Sequence, residues 1–224
     1  MPEPNRRSIE QFLNFKDERP TITPRHYGEF TESIDLSDGK VHLLRQALPS
    51  EQASRFVDYL RTNIVWHHEV YRGRPTLRGT AWFADESVEY RYSGQAMIGS
   101  GWDPTVSSIC RLVEELCGAK FNSVLINRYP DGQAQMGWHA DDELELGRNP
   151  TIASLSFGAS RTFKLRHKTI AETRECVLDD NCLLVMAGQL QHHWQHTIPR
   201  RTSKIAERFN LTFRYTIPDF WKSV

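Results

Sequence analysis

The sequence predicts an α+β fold that is mainly β: a sandwich or jelly roll of two facing, largely antiparallel sheets, with helices packed on the outside. Three observations lead there. Two segments with a helical apolar period stand before Gly118. After it the period drops from about 3.6 to 2. Short strand-like runs then follow to the end: FNSVLINRY, TIASLSFG, RTFKLRHK, CLLVMAG and RFNLTFRYTI.

Residues 1–38 are polar, charged and interrupted by Pro2, Pro4, Pro20 and Pro24, a pattern expected of a flexible or loosely docked N-terminal extension. The folded domain is expected to cover 39–224. Ser50 can cap a helix through about Thr62, in which Ala53, Phe56, Val57 and Leu60 form one stripe. The second helix is better marked. Asp103 caps it, Pro104 fits its first position, Ile109, Leu112, Val113 and Leu116 make the stripe, and Gly118 ends it.

At 224 residues, 39% hydrophobic and 25% charged, the chain suits one globular domain. No apolar run approaches the roughly 18 to 20 residues that span a bilayer, and MPEPNRRSIEQFLNF lacks a secretory apolar core. Cys110, Cys117, Cys176 and Cys182 form no CxxC pair and read as reduced thiols. An intracellular protein, cytoplasmic or nuclear, with no membrane partner is therefore expected. With a net charge of +0, a nucleic-acid partner can rest only on a local basic patch.

In RFNLTFRY, alternation puts Arg208, Asn210, Thr212 and Arg214 on one face and Phe209, Leu211, Phe213 and Tyr215 on the other. A solvated face is the ordinary meaning of such a pattern. A second strand changes the reading, because FNSVLINRY groups Asn127 with Tyr129 opposite Val124 and Ile126. Two guanidiniums, an amide and a phenol facing one cavity would suit a small dianion, since the arginine fork binds carboxylates bidentately.

The stretch GWHADDELELGRNP raises a metal question. On an extended segment His139 and Asp141 point the same way and Ala140 points away, so both can reach one cation. A third ligand can come from His192, His193 or His196 in QLQHHWQHTIP. Two histidines and one carboxylate on one face leave positions open, which suits non-haem Fe(II). Zinc is the chemical competitor, but it leaves the two-arginine strand without a purpose.

These motifs resemble the AlkB family of Fe(II)/2-oxoglutarate-dependent dioxygenases. The likeness runs from about Leu77 to Ile217 through LINRYPDG, WHADDE, PTIASLSFGASRTFKLRHK, HWQHTIP and RFNLTFR, and is greatest to the branch that repairs alkylated DNA. It implies a double-stranded β-helix, the jelly-roll alternative above. It also implies His139, Asp141 and His196 as Fe(II) ligands, with His196 chosen for its place before the proline. Arg208, Tyr129 and Asn210 would hold the distal carboxylate of 2-oxoglutarate, with Arg214 and Asn127 near its chelating end. The implied reaction uses dioxygen to split 2-oxoglutarate into succinate and carbon dioxide and to hydroxylate an N-methyl group, which leaves as formaldehyde.

A methylated ring nitrogen is reachable only in a flipped or single-stranded base. In EYRYSG, Tyr90 and Tyr92 share one side, and the resemblance makes Tyr92 the stacking aromatic and Glu143 the reader of an exocyclic amino group, as in 1-methyladenine and 3-methylcytosine. A core aromatic pair is the plain alternative. The segment YRGRPTLRG supplies Tyr71, Arg72, Arg74 and Arg78 as the expected backbone grip, and Arg166, Lys168, Arg200, Arg201 and Lys204 are further basic candidates. DNA, or RNA, is the expected partner of a monomeric enzyme. The competing readings are the same iron chemistry on a protein or small molecule, and a non-catalytic nucleic-acid-binding or zinc-binding relative.

Overall fold

A computed structural model of the chain describes residues 30–71, 73–92 and 95–223, without the side chains of Tyr71, Tyr92 and Gln95. Its strands are β1 (Glu32–Leu36), β2 (Gly39–Leu44), β3 (His67–Tyr71), β4 (Arg74–Ala84), β5 (Glu89–Tyr92), β6 (Gln95–Ile98), β7 (Ser123–Tyr129), β8 (Met136–His139), β9 (Ile152–Gly158), β10 (Arg161–His167), β11 (Thr173–Leu178), β12 (Cys182–Ala187), β13 (Trp194–Ile198) and β14 (Arg208–Arg214). The helices are α1 (Ser50–Asn63), α2 (Pro104–Cys117), α3 (Leu190–His193) and α4 (Phe220–Ser223).

A major sheet runs in the order β1-β2-β12-β9-β14-β7-β4-β3, and a minor sheet runs β11-β10-β13-β8. Among the described residues every pairing between these strands is antiparallel, and β5 and β6 form a separate ribbon. This is the jelly roll, with the sequence period translated directly into layers. Leu183 and Val185 of β12 join Phe56, Leu60, Ile109 and Val113 in the core beneath α1 and α2. Their neighbours Leu184 and Met186 point the other way, into the space between the sheets with Phe163, Leu165 and Trp194. Burying each large apolar side chain contributes about 1.5–3 kcal/mol.

The α2 signals act as read. Asp103 accepts from the amides of Thr105 and Val106, Pro104 opens the helix, and Gly118 closes it in the left-handed conformation at φ 62°. The α1 signal needs correction: Ser50 is the first helical residue and Pro49 is the cap, with no side-chain cap bond. Among the described residues six strands precede α2, so the expected order of two helices followed by strands is also revised. Those early strands are hard to recognise because β1 and β3 are edges and β5–β6 lies outside both sheets, so their alternation is weak. The segment assigned to an N-terminal extension ending at residue 38 contains β1, which pairs Glu32 to Leu43 and Ile34 to Val41. Ile34 and Leu36 pack on the inter-sheet core, which gives this polar strand a reason to dock.

In YRGRPTLRG, Tyr71 ends β3 and pairs with Arg74, which opens β4, so Arg74–Gly79 is strand. No helix among the described residues is long and apolar enough to cross a membrane.

Candidate functional site

A cavity partly open to solvent lies between the sheets. The major sheet contributes Asn127 and Tyr129 from β7, Ser154 from β9, and Arg208, Asn210, Thr212 and Arg214 from β14. The minor sheet contributes Met136 and His139 from β8, Phe163 from β10, and His196 and Ile198 from β13. The polar strand faces anticipated from alternation thus face inward. Register explains their grouping, since β14 and β7 pair Arg208 with Tyr129 and Asn210 with Asn127.

His139 ends β8 directly across from His196 of β13. A register shift between His196 and Ile198 lets both β8 residues opposite them, His139 and Met136, line the cavity. The two imidazole centroids are 4.2 Å apart, and His196 Nε2 is 3.9 Å from Asp141 Oδ2. One ligand atom from each of His139, Asp141 and His196 lies within 4.8 Å of the others. His139 Nδ1 donates to the Gly137 carbonyl at 2.9 Å, which fixes the tautomer and leaves Nε2 as the lone-pair nitrogen.

Asp141 is held from two sides. Its amide donates to Gln191 Oε1 at 2.9 Å, and its Oδ1 accepts from Arg214 Nη2 at 2.6 Å. Burial works to raise its pKa, but the Arg214 guanidinium beside it outweighs that and holds the carboxyl at about 2. Burial, reinforced by His139, drives His196 down to about 3 and keeps it neutral. Asp141 Oδ2 remains buried without a hydrogen-bond partner. A carboxylate oxygen facing two imidazoles is the donor set a divalent cation takes, so the residues fit a metal.

The other end of the cavity fits a carboxylate. Arg208 is 1% exposed, donates from Nη2 to Ser156 Oγ at 2.9 Å, and leaves Nε and Nη1 unpartnered. Burial lowers its pKa to about 10. Asn210 Nδ2 donates to Ser154 Oγ at 2.7 Å, and Asn127 Oδ1 is another buried atom without a partner. Buried polar atoms left unsatisfied in this way are costly unless a ligand completes them.

A second group, Asp38, His167 and His193, also has ligand atoms within 4.8 Å, but its hydrogen bonds argue against a metal. His167 Nδ1 accepts from the amides of Thr169 and Ile170, each at 3.1 Å. The ring proton is therefore on Nε2, which donates to Asp38 Oδ2 at 3.1 Å. His192 donates to the Arg148 carbonyl.

Not every expected site residue behaves as read. Tyr90 is completely buried, stacked on Trp82 at 5.4 Å and covered by the Arg214 guanidinium at 5.5 Å. It offers no ring face to a base and instead supports Glu143, whose carboxyl interacts with its hydroxyl. Burial, aided by Asp141, raises Glu143 to about 7. Arg78 is also turned inward, 4% exposed, paired with Glu69 at 2.8 Å and against Met136, because its alternation on β4 points it away from solvent. Arg74 is exposed. Arg72, with the side chains of Tyr71 and Tyr92, lies outside the described residues. Among the other basic candidates, Arg166 lies over Trp138 at 4.4 Å, Lys168 pairs with Asp142 at 2.9 Å, and Arg200, Arg201 and Lys204 are exposed.

Sequence reading missed Ser154, Ser156 and Gln191. The two serines carried a usable signal, since they alternate with Ala153, Leu155 and Phe157 in TIASLSFG. Gln191 carried none, because only the fold returns it to Asp141.

Residues 40–214 match the model of the 2OG-Fe(II) oxygenase superfamily. The chain is 41% identical over 185 residues to human "Alpha-ketoglutarate-dependent dioxygenase alkB homolog 3", covering 75% of this chain and 63% of that protein. It is 33% identical over 218 residues to Arabidopsis thaliana "DNA oxidative demethylase ALKBH2", covering 83% and 69%. The solved structure of OsALKBH1 superposes with a TM-score of 0.62 at 15% identity, over 82% of this chain and 100% of that one, a likeness of fold. The chain spans 63% and 52% of the human and rat AlkB homolog 3 proteins. With its triad and arginine-lined cavity in a jelly roll, and with these relatives, the chain belongs to the AlkB family of the 2OG-Fe(II) oxygenase superfamily.

Proposed function

We propose that the chain is an oxidative demethylase that repairs N-methylated bases of the 1-methyladenine and 3-methylcytosine type in DNA, with RNA as a further substrate. The observation that carries this reading is the meeting of His139, Asp141 and His196 with Arg208, whose Nε and Nη1 are left without partners, in one cavity. The relatives named as DNA oxidative demethylases supply the substrate class. The form proposed is a monomer acting where cellular nucleic acid is found.

His139, Asp141 and His196 would hold Fe(II), and the bound metal with 2-oxoglutarate and dioxygen supplies oxidation of the N-methyl group, with succinate, carbon dioxide and formaldehyde as products. The chain's own work is binding and orientation. Arg208, with Tyr129 and Asn210, takes the distal carboxylate of 2-oxoglutarate, and the Ser156 hydroxyl fixes the guanidinium. Asn127 and Arg214 stand toward the chelating end, where Arg214 also keeps Asp141 ionised and oriented.

Glu143, backed by Tyr90, accepts from the exocyclic amino group of adenine or cytosine and disfavours carbonyl edges. Tyr92 and the imidazole of His139 bracket the base, and Arg74 with Arg72 contacts the phosphates. These contacts spend binding energy on placing the methyl group beside the metal and excluding water. Formaldehyde and succinate released together from a methylated oligonucleotide, with Fe(II) and 2-oxoglutarate supplied, are the expected result. Succinate without formaldehyde across single- and double-stranded DNA and RNA would move the substrate to a protein or small molecule.

A further inference from the structure

Arg161 is a buried cation that the triad and the β14 arginines do not use. It is 1% exposed, and its hydrogen bonds go to backbone carbonyls. Nη1 donates to Asp131 at 3.4 Å, and Nη2 donates to Ala134 at 3.0 Å and Pro199 at 2.6 Å. Its Nε has no partner. Among the described residues it forms no ion pair, in contrast to Arg214 with Asp141. Burying a guanidinium on neutral acceptors is costly, and a backbone clasp alone can be made by an uncharged side chain.

Its position gives the charge a use. The Tyr129 ring lies 5.5 Å from the Arg161 guanidinium carbon and 5.1 Å from that of Arg208. Two buried cations therefore flank the Tyr129 ring, Arg208 lining the cavity and Arg161 outside its lining; among the described residues neither forms an ion pair, and Asp131 is the acid that acts on Arg161. At the other end Asp141 balances Arg214. The three carbonyls also tie the turn before β8 to the turn after β13, the strands that carry His139 and His196.

We propose that Arg161 is a positioning residue that selects a dianionic cosubstrate, adding a second buried positive charge behind Tyr129 that favours 2-oxoglutarate over a monocarboxylate 2-oxo acid of equal length. The inference rests on the assignment of Arg208 to the distal carboxylate. A unit charge several ångströms away in a partly desolvated site changes carboxylate binding by about tenfold.

The test is calorimetric binding to the full chain with Mn(II), without turnover, comparing 2-oxoglutarate with 2-oxopentanoate. R161Q is expected to weaken 2-oxoglutarate about tenfold and leave 2-oxopentanoate unchanged, so the ratio of the two affinities falls. R161K, which keeps a charge but reaches fewer carbonyls, should give an intermediate ratio, and it carries the test if R161Q does not fold. An unchanged ratio, or parallel weakening of both ligands, overturns the proposal. R208A separates the two levels. If R208A also leaves the ratio unchanged, the assignment of the cavity end is wrong. If R208A lowers the ratio and R161Q does not, only the role of Arg161 fails.

Discussion

Arg214 Nη2 donates to Asp141 Oδ1 at 2.6 Å, and both side chains are buried, at 5% and 2% exposure. The pair links the last strand of the major sheet to the segment leaving the minor sheet, and it leaves Asp141 Oδ2 turned toward His196. One oxygen is thus committed to the protein and the other is kept for a cation.

Breaking this pair should be felt before any chemistry. Arg214→Ala leaves a buried carboxylate unpaired, and removing one partner of a buried pair costs about 3–5 kcal/mol. The urea midpoint of the metal-free variant should fall accordingly, with partial recovery on adding Mn(II), because a cation supplies the missing charge. A metal-free midpoint equal to the parent's would show that Asp141 does not depend on Arg214.

The triad makes a prediction about metal content as well as turnover. His139→Ala and Asp141→Ala should each lose bound Fe(II) by elemental analysis and lose formaldehyde release, since two remaining donors cannot fix the cation. His193→Ala should retain both, because its neighbour His167 already has its ring proton on the nitrogen facing Asp38. Metal loss in the His193 variant would move the site.

Arg208→Ala should raise the concentration of 2-oxoglutarate needed for half-maximal rate by roughly 10- to 100-fold, the effect of leaving a buried carboxylate without its partner. Ser156→Ala should shift it in the same direction and less, because it frees the guanidinium rather than removing it. A cosubstrate requirement unchanged in both variants excludes this end of the cavity as the carboxylate site.

Glu143→Gln keeps the shape and adds a donor to an acceptor. Preference for bases with an amino edge should fall by roughly tenfold against carbonyl-edged methylated bases, while Fe(II) content stays at the parent level. Equal loss of activity on all bases would give Glu143 a role other than base reading.

Away from the site, Asp103→Ala removes the α2 cap and the acceptor of the Tyr59 hydroxyl at 2.6 Å. A stability loss of about 1–2 kcal/mol is expected by denaturant titration, with 2-oxoglutarate affinity unchanged. A shift in affinity would mean that α2 influences the cavity through the sheet it covers.

Sequence and structure divide this protein along a physical line. By itself the sequence determined whatever depends on neighbours along the chain. Asp103, Pro104 and Gly118 bound a helix through local backbone bonds, and strict alternation in RFNLTFRY and SVLINRY put the arginines and amides on one face before any sheet was known. The spacing of His139 and Asp141 belongs to the same class.

Only the tertiary structure decided which faces meet. It brought His196 across from His139, carried Gln191 back to the Asp141 amide, and put Arg161 behind Tyr129. It also buried Arg78 and Tyr90, whose local patterns suit a surface equally well. Period-2 alternation assigns a side chain to a face without saying whether water or another sheet covers it. That outcome depends on strand order and register, which are set by contacts between residues far apart in the chain.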